Sequence, residues 1–168
     1  MNAQQANDPA GVKDGTTTER TSDRELVVTR TFNGPVDLVF KAWTTPELLM
    51  RWWVPESFGF KLASCEVDAR TGGRYRFVFD VPGQPEPTAF FGMYLEVTPP
   101  KRLVWTNEET DDGSVTTATF EERDGKTHLV LHDLYSSKDA LDAALASGST
   151  GAFPEQFDQL DLVLASAE

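Results

Sequence analysis

At 168 residues the chain is about one domain long, and its 11 Phe, 4 Trp and 3 Tyr give it enough to fill a core. Its 15 Lys and Arg against 27 Asp and Glu leave a net charge of −12, which disfavours nucleic acid and anionic membrane, since both are bound by neutralising phosphates. The single cysteine, Cys65, excludes an intrachain disulfide, and with no signal-peptide pattern and no apolar run of ~20 residues the expected setting is the cytoplasm, with no membrane span.

Residues 1–22 are polar and poor in groups to bury, which predicts a disordered tail ahead of a single domain over 23–168. The domain opens with RELVVTRTF, a strand by its β-branched content. Asn33-Gly34-Pro35 breaks it. Val36, Val39, Phe40 and Trp43 then recur at i, i+3, i+4 and i+7, the stripe of an amphipathic helix. Thr44 or Thr45 can cap a second, short helix, with Pro46 in its first turn, Glu47 placed for a capping box, and Pro55 beyond its end.

From Phe60 to Tyr135 the period becomes two. Six strands are predicted in FKLASCEVDA, GRYRFVFDV, TAFFGMYLEVT, RLVWTNE, SVTTATFEER and KTHLVLHDLY. The separators RTGG, PGQPEP, PPK, TDDG and RDG hold the Gly, Pro and Asp that turns prefer. Tyr75, Phe77 and Phe79 share one face, and Arg74 and Arg76 the other. Connections this short imply an antiparallel meander. SSKDALDAAL, with a capping serine, returns the chain to helix. Phe153, Phe157, Leu160 and Leu164 then mark a final amphipathic helix, with Pro154 in its first turn and Glu155, Asp158 and Asp161 on its wet side.

The main order is thus β-α-α-β6-α, an α+β fold. An aromatic sheet face needs a cover, and the C-terminal helix is the long amphipathic element left to supply it. A curved antiparallel sheet wrapped around that helix satisfies both, with a cavity between them.

Little in the sequence carries chemistry. His128 and His132 fall four apart on a strand, about 13 Å, too far to share a metal. No Cys or His elsewhere has metal-ligand spacing, and neither a metal site nor a cofactor is expected. His132 and Asp133 read as base and orienter, but adjacent strand residues face opposite ways, so a structural histidine is the simpler reading. If His132 faces the cavity it is the first candidate for acid–base work. Cys65 reads as a small buried hydrophobe, and Thr71-Gly72-Gly73-Arg74 as a hairpin turn rather than a phosphate cradle, because a strand and not a helix follows.

The stretches RTFNGPVDLVFKAWTTPELLMRWWVPESF, CEVDARTGGRYRF and GMYLEVTPPKRLVWT resemble the bacterial homologues of the activator of heat-shock protein 90 ATPase, members of the SRPBCC or START-like superfamily. The likeness covers about residues 24–166. It implies the helix-grip fold, in the element order that periodicity gives independently, and a cavity of the kind the superfamily uses for apolar molecules. The chain departs from the family's usual Gly-Trp pair at the last helix, where Ala152-Phe153 stands.

The expected function is therefore the binding of a small apolar or amphipathic molecule, without catalysis. The expected cavity wall is Trp53 at the mouth with Phe77, Phe79, Phe91, Met93, Trp105, Phe120, Phe153 and Phe157, and His132 as a polar tip. Trp52, following Leu48 and Leu49, is expected to be structural. The alternatives are a cyclase- or hydrolase-like enzyme using a cavity His or Asp, and a co-chaperone-like regulator of a heat-shock protein 90 type ATPase. The related eukaryotic co-chaperones carry a separate chaperone-binding domain for which this length leaves no room. A homodimer through sheet edges or the exposed aromatic segment is a further expectation.

Overall fold

The computed structural model describes residues 11–13, 15–108, 113–147 and 149–166. In chain order the elements are β1 (Gly11–Lys13), β2 (Thr16–Arg20), β3 (Glu25–Phe32), α1 (Val36–Thr44) and α2 (Pro46–Trp52). The meander follows as β4 (Leu62–Val67), β5 (Arg74–Phe79), β6 (Thr88–Thr98), β7 (Arg102–Asn107), β8 (Ser114–Arg123) and β9 (Lys126–Leu134). Two helices close the chain, α3 (Lys138–Ser147) and α4 (Phe153–Ser166). The nine strands form one antiparallel sheet in the order β1-β2-β3-β9-β8-β7-β6-β5-β4.

Alternation along each strand decides what the sheet offers to α4. On β9, Thr127, Leu129, Leu131 and Asp133 are buried, and on β3 Leu26, Val28, Arg30 and Phe32 are. The helix answers with Phe157, Leu160, Val163 and Leu164, and Phe157 meets Phe32 edge-on at 5.4 Å between centroids. An irregularity between Tyr94 and Glu96 lets Val97 follow Tyr94 on the inner side and bends β6, as wrapping requires. The β8–β9 hairpin is closed by Asp124 and Gly125, both at positive φ (55° and 77°), the pair a two-residue type I′ turn demands.

Several expectations are corrected. Residues 1–10 lie outside the described residues, but the stretch taken as tail also contains β1 and β2, and β2 pairs with β3 from Thr17↔Thr29 to Arg20↔Leu26. The reason lies in Arg30, which points inward from β3 and is 7% exposed. Its guanidinium donates to Thr16 Oγ1 at 3.0 Å and reaches Asp161 and Asp158 on α4 at 2.7 and 2.9 Å. A buried charge needs polar cover, and Thr16 supplies part of it from a β-branched run suited to a strand. The same contacts dock Asp161 of α4 against the sheet, while Asp158 keeps 44% of its side chain exposed.

Ser137 does cap α3, accepting from Ala140 N at 3.0 Å. At α2 the Thr45 backbone carbonyl accepts from Leu48 and Leu49, but its side chain makes no cap bond. Of the expected TDDG turn only Gly113 falls within the described residues. No described helix is long and apolar enough to cross a membrane.

Candidate functional site

Between the concave sheet face and the helices lies a cavity of about 690 Å³. All four tryptophans and all three tyrosines of the chain line it. Trp43 on α1 is one of them, 4.9 Å from Trp52, 6.2 Å from Trp105 and 6.1 Å from Phe157 between ring centroids. The space exists because α3 turns only small side chains toward it: Ala140, Ala143 and Ala144. The exposed rings of Phe58 and Phe90 stand at the rim and mark its mouth.

The paired tryptophans are held by α4. Gln159 Nε2 donates to the carbonyls of Trp52 and Val54 at 3.1 and 3.0 Å, while its Oε1 accepts from Glu56 N at 2.7 Å. Gln156 Nε2 donates to the Trp53 carbonyl, and Glu155 accepts from the backbone and hydroxyl of Ser57. These bonds use the carbonyls freed at the end of α2 and fix the exit of the chain. Trp52 is fully buried, with Nε1 donating to Ala42 O at 3.1 Å. Trp53 is half-buried and meets Phe77 edge-on at 5.0 Å. Both rings line the cavity, so Trp52 is structural and cavity wall at once.

One polar seam crosses this wall. Tyr75 Oη donates to Thr106 O at 2.8 Å and lies 3.3 Å from Asn107 Oδ1. Asn107 Nδ2 donates to Ser114 Oγ and Thr116 Oγ1, each at 2.9 Å, and Thr116 Oγ1 donates to Asp133 Oδ1 at 2.5 Å. Register produces the alignment, since Thr116 pairs with both Trp105 on β7 and Asp133 on β9. Asp133 is 8% exposed, and burial pushes its carboxyl from the ordinary 3.8 up to about 6, against the opposing pull of the Thr116 hydroxyl and the His132 charge. Among the described residues its Oδ2 has no hydrogen-bond donor, and no Lys, Arg or His lines the cavity. The indole N–H of Trp43 is buried without an acceptor among the described residues.

Six of the expected wall residues, Trp53, Phe77, Phe79, Trp105, Phe153 and Phe157, line the cavity. Phe120 is buried in the core, packed edge-on to Phe40 at 5.6 Å, and is not part of the wall. Phe91 and Met93 are on the opposite face of β6, where Phe91 lies under the Arg76 guanidinium and Met93 pairs with Arg74. Phe90, Gly92 and Tyr94 have the inward parity instead. Gly92 is required there, because a Cβ would meet Thr106 O at 1.9 Å. His132 also faces outward, 2.8 Å from Glu25, and its neighbour Asp133 supplies the polar tip. The signal available in the sequence was the Leu129, Leu131, Asp133 alternation, an acid in an apolar row.

The remaining groups are structural. Burial pushes the Cys65 thiol up to about 12, helped by Glu47 and Glu66. Arg74 pairs with Glu108 at 2.9 Å, and Gly73 belongs to a turn in which a Cβ would strike Asp68 O. No His, Cys, Asp and Glu cluster able to hold a metal occurs among the described residues.

Comparison with known proteins places this geometry. The family profile described as Activator of Hsp90 ATPase homolog 1-like protein matches residues 33–165. A crystal structure of a Rhodobacter sphaeroides protein superposes with a TM-score of 0.83 at 25% identity, covering 91% of this chain and 99% of that one. One from Chromobacterium violaceum gives 0.70 at 27% identity, covering 83% and 96%. The solution structure of the AHSA1-like protein from Aeromonas hydrophila gives 0.66 at 20% identity over 84% and 93%, a likeness of fold. Among curated proteins, none matches.

Proposed function

The chain belongs to the family of activator of Hsp90 ATPase homolog 1-like proteins, with its helix-grip α+β fold, and from that premise we propose that it binds a small amphipathic molecule in the cavity without transforming it. The observation that carries the reading is the cavity itself: about 690 Å³, walled by aromatic and aliphatic side chains and crossed by one polar seam. Small-molecule sites have this form, with mostly apolar walls of 300–1,000 Å³ and few polar groups that fix orientation. The chemistry of the wall agrees. Thr116 and Asp133 are its one hydroxyl–carboxyl pair, and among the described residues no His, Lys or Arg lines the cavity to assist it. Native mass spectrometry of protein purified from its own cells tests the reading. A reproducible co-purified small molecule, lost on denaturation, is expected. A crystal structure with side chains collapsed into a solid, ligand-free interior would overturn it.

A second reading has one observation in its favour. A carboxyl raised toward neutrality inside a cleft is a candidate general acid or base. Asp133 then replaces His132 in the catalytic alternative, and turnover abolished by Asp133→Asn in folded protein would be its mark.

A further inference from the structure

We propose that the cavity selects cationic ligands: an ammonium group on an apolar body, held against the Asp133 carboxylate, with the body lying among the tryptophans. This rests on the ligand-binding reading and specifies its ligand class. Charge points this way first. Asp133 is the carboxylate of a wall that contains no Lys, Arg or His among the described residues, and its Oδ2 has no donor there. An anionic amphiphile, such as a fatty acid, would bring a second negative charge into a low-dielectric space with nothing to pair it. A neutral hydroxyl, like that of Thr116, can donate to the carboxylate but leaves its charge unbalanced. A cation satisfies it.

The aromatic content of the wall points the same way. The faces of Trp and Tyr rings attract ammonium groups, most strongly where water is excluded. Tyr135 follows Asp133 by two residues on the same side of the chain, about 7 Å on, and Trp105 lies two strands away, about 10 Å. A trialkylammonium group seated at Oδ2 therefore shares the cavity with these rings.

The groups around Asp133 leave it as the one that titrates near neutrality on this side. β8 brings Thr116, β7 Asn107, β3 Leu26 as the ladder partner, and α3 its alanines. The Tyr75, Tyr94 and Tyr135 phenols also face the cavity, and burial pushes Tyr94 further up. His132, paired with Glu25, lies behind the sheet.

The test is displacement of the neutral fluorophore N-phenyl-1-naphthylamine by decyltrimethylammonium, 1-decanol and decanoate, each below its aggregation concentration. Decyltrimethylammonium is expected to displace the fluorophore at least about tenfold more tightly than decanol, with decanoate weakest. Because the quaternary ammonium keeps its charge, its advantage should shrink as pH falls through about 6, where Asp133 takes up a proton. Asp133→Asn, checked for fold by circular dichroism, should erase the preference of decyltrimethylammonium over decanol. Should that variant fail to fold, the ranking in the unmodified protein and its pH dependence decide. Equal displacement by all three, or decanoate strongest, overturns the proposal while the ligand-binding reading stands. A fluorophore that does not bind at all overturns both.

Discussion

Asp133 is held at a cost to stability, and that cost can be measured. In the unfolded chain its carboxyl ionises near 3.8, and in the folded protein at about 6. Between these values the native state keeps a proton that the unfolded state has released, so stability falls as pH rises. About two pH units at ~1.4 kcal/mol each give about 3 kcal/mol, absent below pH ~4 and complete above pH ~6. A side-chain amide at this position carries no charge and still offers an oxygen to the Thr116 hydroxyl, so Asp133→Asn removes the pH-dependent part of the penalty. Urea denaturation of both proteins from pH 4 to pH 8 is the assay. The variant should gain about 3 kcal/mol on the wild type between pH 4 and neutral pH, a relative rise in Tm of roughly 6–12 °C for a domain of this size. Parallel stability curves would defeat the prediction, because they would mean that the carboxylate is solvated as freely in the folded protein as in the unfolded one.

Deleting residues 1–20 should cost a few kcal/mol, since it removes the Thr16 hydroxyl from Arg30 together with the β2–β3 ladder; an unchanged denaturation midpoint would return the segment to the status of a tail. Gln159→Ala removes three hydrogen bonds from the Trp52–Glu56 segment and should lower stability by about 2–3 kcal/mol, with a shifted tryptophan emission as the local sign. Gly92→Ala forces a Cβ against the Thr106 carbonyl, and a soluble variant of native stability would disprove that close approach. Cys65, pushed up to about 12, should react with iodoacetamide at pH 8 far more slowly than free cysteine, and as fast as free cysteine only after unfolding.

The fold was legible wherever periodicity was unbroken. Tyr75, Phe77 and Phe79 declare their face, and the C-terminal stripe from Phe153 to Leu164 declares its helix. The second strand was not legible because it covers a charge, Arg30, with the Thr16 hydroxyl, and apolar patterning carries no trace of a polar contact 14 residues away. The wall of the cavity was half legible for a similar reason. Phe90 and Phe91 are adjacent, Gly92 has no side chain to show its side, and the irregularity after Tyr94 resets the count. Which of the two phenylalanines faces inward is decided by pairing to β5 and β7. The same ambiguity surrounded His132-Asp133. Composition favours the histidine as the functional residue, but pairing sends it to Glu25 on the outer face and Asp133 to the interior. Trp43 was readable as a core residue of its helix, although its place in the cavity wall depends on long-range packing against Trp105 and Phe157.

Everything proposed for the site depends on the space between sheet and helices receiving one small molecule. Because every tryptophan lines that space, titration with N-phenyl-1-naphthylamine under excitation of the indoles reads it directly. Saturable energy transfer is expected, with quenching of tryptophan emission and a stoichiometry of one fluorophore per chain. Transfer that never saturates, or no transfer at all, would mean that the cavity takes no such guest.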